Sequence, residues 1–270
     1  MMIHPRRERL RGLPFNRMIP NILTLLALCA GLSALRFGLQ ERWEHAVLAV
    51  LVAAILDGLD GRIARILKGA SKFGAELDSL SDFICFGVAP PVLLYLWTMR
   101  VFDRIGWVLV LLFSVCCALR LARFNTHLDE PDQPAWTVNY FSGVPSPMGA
   151  GLVLAPMILS FEFGTDAFKN PFVVSAAIIT ISALLVSPIP TYSFKKVRVP
   201  HHWVLPVMLL VGLFAAALVS APWSTLSVVL SVYVVTIPFS IRSYRRQKRI
   251  GLAASPIAAT EKKDPAATQP

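Results

Sequence analysis

Asp57-Gly58-Leu59-Asp60-Gly61-Arg62-Ile63-Ala64-Arg65, followed after eight residues by Gly74-Ala75-Glu76-Leu77-Asp78-Ser79-Leu80-Ser81-Asp82, is the stretch that decides the reading of this chain. Four aspartates stand at helical spacing inside otherwise apolar, helix-length sequence. An α-helix turns by about 100° per residue, so Asp57, Asp60, Gly61 and Ala64 share one face of one helix. Gly74, Asp78 and Asp82 recur every four residues and share a face of the next. Between the two faces, Arg65 to Lys72 forms a basic connection containing Lys68, Gly69, Ala70 and Ser71. A helical hairpin would bring the carboxylates together, and unscreened they would repel and take up protons. Hard divalent cations such as Mg²⁺ or Mn²⁺ prefer oxygen ligands and are the natural counter-charge. Gly61 and Gly74 leave room for a ligand at the backbone. Arg65 offers a fork of donors suited to phosphate oxygens.

Outward from that stretch, the sequence is that of a polytopic membrane protein. Of its 270 residues, 55% are hydrophobic and 16% charged, against about 25% charged in a soluble domain. Apolar runs near the length of about 20 residues needed to span a bilayer recur near 20–39, 44–65, 77–98, 105–122, 146–163, 171–190, 203–220 and 223–241. The expectation is an all-α bundle of about eight transmembrane helices, with seven as the alternative count. The second and third runs carry the aspartates, which cost a few kcal/mol each at membrane depth and therefore mark function.

The net charge of +10 raises the question of nucleic acid, but its placement argues for topology instead. With eight spans, 21 of the 26 Lys and Arg residues fall in the tails and loops of one side. Arg36, Arg42, Arg100, Arg104 and Lys169 fall on the other. The positive-inside rule then places both termini, and the aspartate hairpin's connection, in the cytoplasm. Basic runs such as Arg6–Arg11 and Arg242–Arg249 sit favourably beside anionic lipid headgroups. The first apolar stretch is too long for the core of a cleavable signal.

The organisation expected is a basic N-terminal segment (1–19), a six-helix membrane core (20–190), two further helices (191–241) and a basic, disordered tail (242–270). Cys29, Cys85, Cys116 and Cys117 all lie in apolar spans without metal or disulfide spacing and read as small buried hydrophobes. His201-His202 lies in a basic loop and reads only weakly as a ligand pair.

The string Asp-x-x-Asp-Gly-x-x-Ala-Arg-x8-Gly-x3-Asp-x3-Asp resembles the signature of the CDP-alcohol phosphotransferase superfamily at all eight defining positions. The resemblance covers 26 residues directly. It implies an integral membrane enzyme that moves a phosphatidyl group from a CDP-linked lipid to an alcohol and releases CMP. Pro20-Asn21-x-x-Thr24 resembles an element that contacts the nucleotide in several branches. Arg120-Leu121-Ala122-Arg123-Phe124-Asn125 and Tyr140-Phe141-Ser142-Gly143-Val144-Pro145-Ser146-Pro147 are similar to the serine-using bacterial and archaeal branch, with Val144 where Leu is usual.

The resemblance further implies the division of labour. Asp57, Asp60 and Asp78 would hold two divalent ions, with Asp82 sharing the second and serving as general base. Asn21, Thr24, Gly61, Ala64, Arg65 and Gly74 would shape the CDP-diacylglycerol pocket. By position, where the fourth span meets the cytoplasm, Arg120 and Arg123 read either as topology charges or as holders of a lipid phosphate or the L-serine carboxylate, with Asn125 adding a polar contact. Dimers are common among the proteins it resembles. Spacing alone leaves open a cation transporter and a scaffold built around a structural ion.

Overall fold

The computed structural model describes residues 15–67, 71–128, 140–187, 190–192 and 204–253. The basic run Arg6–Arg11, Lys68, the loop cations Lys195, Lys196 and Arg198, the pair His201-His202 and residues 254–270 lie outside them.

Long helices stand where the apolar runs predict them. They are α1 (Phe15–Leu39), α2 (Trp43–Ile66), α3 (Lys72–Asp82) continuing into α4 (Ala89–Trp97), α5 (Arg104–Leu128), α6 (Ser146–Phe163), α7 (Pro171–Val186), α8 (Val204–Ser220) and α9 (Pro222–Ala253). Five helical stretches are long and apolar enough to cross a membrane: Met18–Leu39, Lys72–Trp97, Arg104–Thr126, Ser146–Phe163 and Pro222–Ser240. Pro171–Val186 and Val204–Ser220 are shorter apolar helices. Among the described residues this is an all-α membrane protein apart from one small strand pair.

Local chemistry sets the helix ends. Ser71 caps α3 by accepting from the Gly74 amide at 3.0 Å. Asn170 caps α7 by accepting from the Phe172 amide at 2.9 Å, with Pro171 in the first turn. Gly164 ends α6 in the left-handed conformation.

Three features depart from the periodicity. A π-helical segment, Phe83–Val88, joins α3 to α4 and begins directly after Asp82. Such segments widen the turn by one residue and leave no trace in an apolar pattern. Tyr140–Ser142 pairs antiparallel with Pro190–Tyr192 to form a short two-stranded sheet, β1 and β2. Finally, α9 runs on to Ala253, so the expected boundary at 242 falls inside a helix.

α1 and α2 form the most extensive helix pair, with α3 laid across α1. Both carry fully buried small residues, Ala34 on α1 and Ala46 and Ala53 on α2, of the kind that lets backbones approach closely. Phe86, Leu93 and Leu94 from the π–α4 segment, Phe113 from α5, Leu154 and Met157 from α6 and Ile178 from α7 fill the centre. α9 joins this core through Leu230, whereas α8 packs chiefly on α9 and buries none of its residues.

Candidate active site

The hairpin of α2 and α3 gathers the aspartates. Asp57, Asp60 and Asp78 each present a carboxylate oxygen within 4.8 Å of the others. Asp82, one turn beyond Asp78, lies close enough to Asp57 for their carboxyl groups to interact directly. At about 5 Å and an effective dielectric constant of about 20, two carboxylates repel by about 3 kcal/mol. Three such pairs approach the entire stability of a typical domain, about 5–15 kcal/mol. The cluster therefore requires either shared protons or a cation.

Its surroundings favour the cation. Asp82 Oδ1 is buried and has no hydrogen-bond partner among the described residues. A buried oxygen without a partner costs about 1–3 kcal/mol, a cost that a bound cation offsets. The donors present are all hard carboxylate oxygens, the set that Mg²⁺ and Mn²⁺ prefer. A divalent ion fits the residues present.

α1 supplies the neighbouring polar groups. Thr24, itself buried, donates its hydroxyl to Asp60 Oδ2 at 2.7 Å and lies 3.1 Å from the Pro20 carbonyl oxygen. One hydroxyl proton serves one acceptor fully, and the short, charge-assisted bond to Asp60 is the stronger. Asn21 faces α3: a Cβ at Gly74 would sit 2.8 Å from Asn21 Oδ1. Glycine at 74 is thus what lets α1 and α3 meet at this level. Gly61 differs, since a Cβ there would meet nothing within 4 Å. Free space opens beside the aspartates on the Gly61 face. Ala64 is half-buried on the same face, and Arg65 donates Nε to the Gly61 carbonyl oxygen at 2.9 Å.

From the other side, α5 brings two of its three candidate residues to the hairpin. Asn125 donates Nδ2 to Ser79 Oγ at 3.0 Å, next to Asp78. Arg120 lies within electrostatic reach of Asp82 and donates Nη1 to Ser146 Oγ. Arg123 goes elsewhere: its Nη1 donates to the Val186 carbonyl oxygen at 3.2 Å, at the end of α7. Side-chain spacing could not separate the two arginines, because the helix that receives Arg123 lies over 60 residues away in the chain.

The motif around Gly143 has a structural reason. Its φ is +80°, and a Cβ would approach the Leu185 carbonyl oxygen at 2.8 Å and that of Ser187 at 3.1 Å. Glycine lets the chain turn tightly over the end of α7 and deliver Val144 and Ser146, both buried, to the core. The hydroxyls of Ser71, Ser79 and Ser146 take up their partners without a sequence signal of their own. Serine is too common a surface and helix residue for position alone to mark it.

Comparison with known proteins agrees with this arrangement. The CDP-alcohol phosphatidyltransferase family matches residues 17–189, and a second family, CDP-alcohol phosphatidyltransferase 2, matches residues 202–238. The chain is 41% identical over 262 residues to the CDP-diacylglycerol–serine O-phosphatidyltransferase of Mycobacterium leprae, spanning 97% of this chain and 84% of that protein. The protein of the same name from Mycobacterium tuberculosis is 40% identical over 85% of this chain and 80% of its own length. The one from Bacillus subtilis is 35% identical over 66% of this chain and 92% of its own length. With the aspartate hairpin assembled and the match running from α1 through α7, this chain belongs to the CDP-alcohol phosphatidyltransferase family.

Proposed function

We propose that this chain transfers the phosphatidyl group of CDP-diacylglycerol to the hydroxyl of L-serine and releases CMP. The observation that carries the serine assignment is the 41% identity over nearly the whole chain to a protein named for that reaction. The Arg120–Asn125 and Gly143–Pro147 segments, which resemble the serine-using branch, support it.

Asp57, Asp60 and Asp78 are the residues that would hold divalent metal, with Asp82 sharing a second ion. A divalent ion such as Mg²⁺ or Mn²⁺ held there would supply positive charge to offset that of the diphosphate. Asp82 takes the proton of the serine hydroxyl. The hydroxyl oxygen forms the new bond to the phosphorus that carries diacylglycerol. The bond from that phosphorus to the bridging oxygen breaks, and CMP leaves with the electron pair. Thr24 fixes the Asp60 carboxylate, and Asn21 and Gly74 set the approach of α1 to α3. Gly61, Ala64 and Arg65 border the space for the nucleotide and diphosphate. Arg120 and Asn125 face the acceptor side, while Arg123 holds the end of α7.

The soluble substrates reach this hairpin from water and the lipid from the bilayer. The charge bias supports the cytoplasmic face of a cell membrane as that side, with anionic lipids beside the basic segments. We assign residues 20–190 to the catalytic core and α8 and α9 to two added helices; native mass measurement from nanodiscs tests the homodimer common among the proteins it resembles.

An acceptor panel with radiolabelled CDP-diacylglycerol tests the assignment. CMP release is expected with L-serine and not with glycerol 3-phosphate, inositol phosphate or choline. Release with one of those instead would reassign the acceptor. Metal flux into liposomes without any CMP formation would favour a transporter.

A further inference from the structure

Arg120 stands at the acceptor side with one donor committed and one open. Its Nη1 is bound to Ser146 Oγ, whereas its Nε is buried and carries no hydrogen bond among the described residues. Asp82 Oδ1 is likewise buried without a partner. The two side chains feel one another electrostatically, yet they form no ion pair within 4.0 Å. An unfilled donor on a cation thus stands near an unfilled acceptor on a carboxylate. A ligand with an acidic oxygen for one and a proton for the other complements both, and an amino acid with a side-chain hydroxyl has both groups.

What holds Arg120 in that attitude is Ser146. This residue opens α6 and is fully buried, and α6 has no side-chain cap because Pro145 occupies the capping position. The Ser146 hydroxyl is therefore not engaged in ending its own helix. Its oxygen accepts from Arg120 Nη1 and from Cys117 Sγ at 3.7 Å. The Arg120 guanidinium also lies 6.0 Å over the Phe124 ring, a looser restraint from its own helix. A long arginine loses rotamer freedom when fixed, so a dedicated partner changes how much of that loss falls at substrate binding.

We infer that Ser146 is a positioning residue for acceptor selection, its hydroxyl holding the Arg120 guanidinium ready for the carboxylate of the acceptor alcohol. The inference rests on serine being the acceptor. It concerns only how the carboxylate is recognised, so Ser146 has no part in binding CDP-diacylglycerol or in proton removal.

The test uses the full chain, reconstituted in liposomes with CDP-diacylglycerol and Mn²⁺, with CMP release as readout. Serine-dependent release by the unaltered chain comes first, and its absence overturns the acceptor assignment rather than the role of Ser146. Ser146→Ala is expected to raise KM for L-serine about tenfold, a change of about 1.4 kcal/mol, with kcat and KM for CDP-diacylglycerol held within about twofold. The same variant should leave the slow reaction with serinol, which lacks the carboxylate, unchanged. In an Arg120→Ala background, adding Ser146→Ala should not lower kcat/KM for serine further. Unchanged KM for serine, an equal loss for serinol, a parallel rise in KM for CDP-diacylglycerol, or additive effects in the double variant would each overturn the inference.

Discussion

The aspartate hairpin and the α8–α9 pair are each two helices adjacent in the chain, but they treat polar and apolar groups in opposite ways. In the hairpin, buried Asp60 is answered by Thr24, Gly74 is fitted to Asn21, and Asn125 reaches across to Ser79. In α8 almost every side chain is exposed, among them Leu205, Met208, Leu209, Leu210 and Leu213, and a Cβ at Gly212 would meet nothing within 4 Å. Lipid tails solvate a leucine face without any partner, so α8 needs no complementary surface. Carboxylates in the same environment have no such freedom. Each must be matched, and the matching defines the position of three helices to within a hydrogen bond. Sequence sensitivity should therefore be steep at the hairpin and shallow along α8.

The largest effect separating the two regions is expected at Asp82. Asp82→Asn keeps the shape and removes the proposed base, so turnover should fall by about 10²–10⁴-fold while detergent-solubilised protein elutes and melts as before. Retained turnover would remove Asp82 from the reaction. Next in size is Gly74→Ala, whose added methyl group must displace Asn21 where α1 meets α3. A loss of about 1–3 kcal/mol in stability is expected, read as a lowered thermal midpoint together with reduced activity. Gly61→Ala sharpens the contrast between two glycines of one motif. With open space around it, the variant should melt normally yet raise KM for CDP-diacylglycerol roughly tenfold, about 1.4 kcal/mol. An unchanged KM would show that the space beside Gly61 does not receive the lipid nucleotide. The smallest effect belongs to Gly212→Ala on α8, expected within about 0.5 kcal/mol in stability and silent in activity.

Much of the hairpin is legible in the sequence because its determinants are local. Asp57 and Asp60 share a helix face by spacing, as do Gly74, Asp78 and Asp82, and a short connection forces the two faces together. The apolar runs also place the long helices, including the shorter α7 and α8. What escapes is whatever depends on which distant segments meet. Arg120 and Arg123 are three residues apart with the same chemistry, yet one turns to Ser146 and the other to the carbonyl of Val186. The π-helical segment after Asp82 is invisible because a wider turn leaves the apolar pattern intact. The pairing of Tyr140–Ser142 with Pro190–Tyr192 joins strands of three residues, too short for alternation to register.

Metal-dependent CMP release tests the central claim most directly, that the carboxylates gathered around Asp57, Asp60 and Asp78 hold a divalent ion at a CDP-linked lipid. The chain, reconstituted and stripped with EDTA, is supplied with CDP-diacylglycerol and L-serine while Mg²⁺ or Mn²⁺ is titrated back. No CMP is expected from the stripped protein, with release returning saturably as metal is added and failing to return in Asp57→Ala. CMP release that persists at full rate in the stripped protein, or that returns equally in Asp57→Ala, would contradict it.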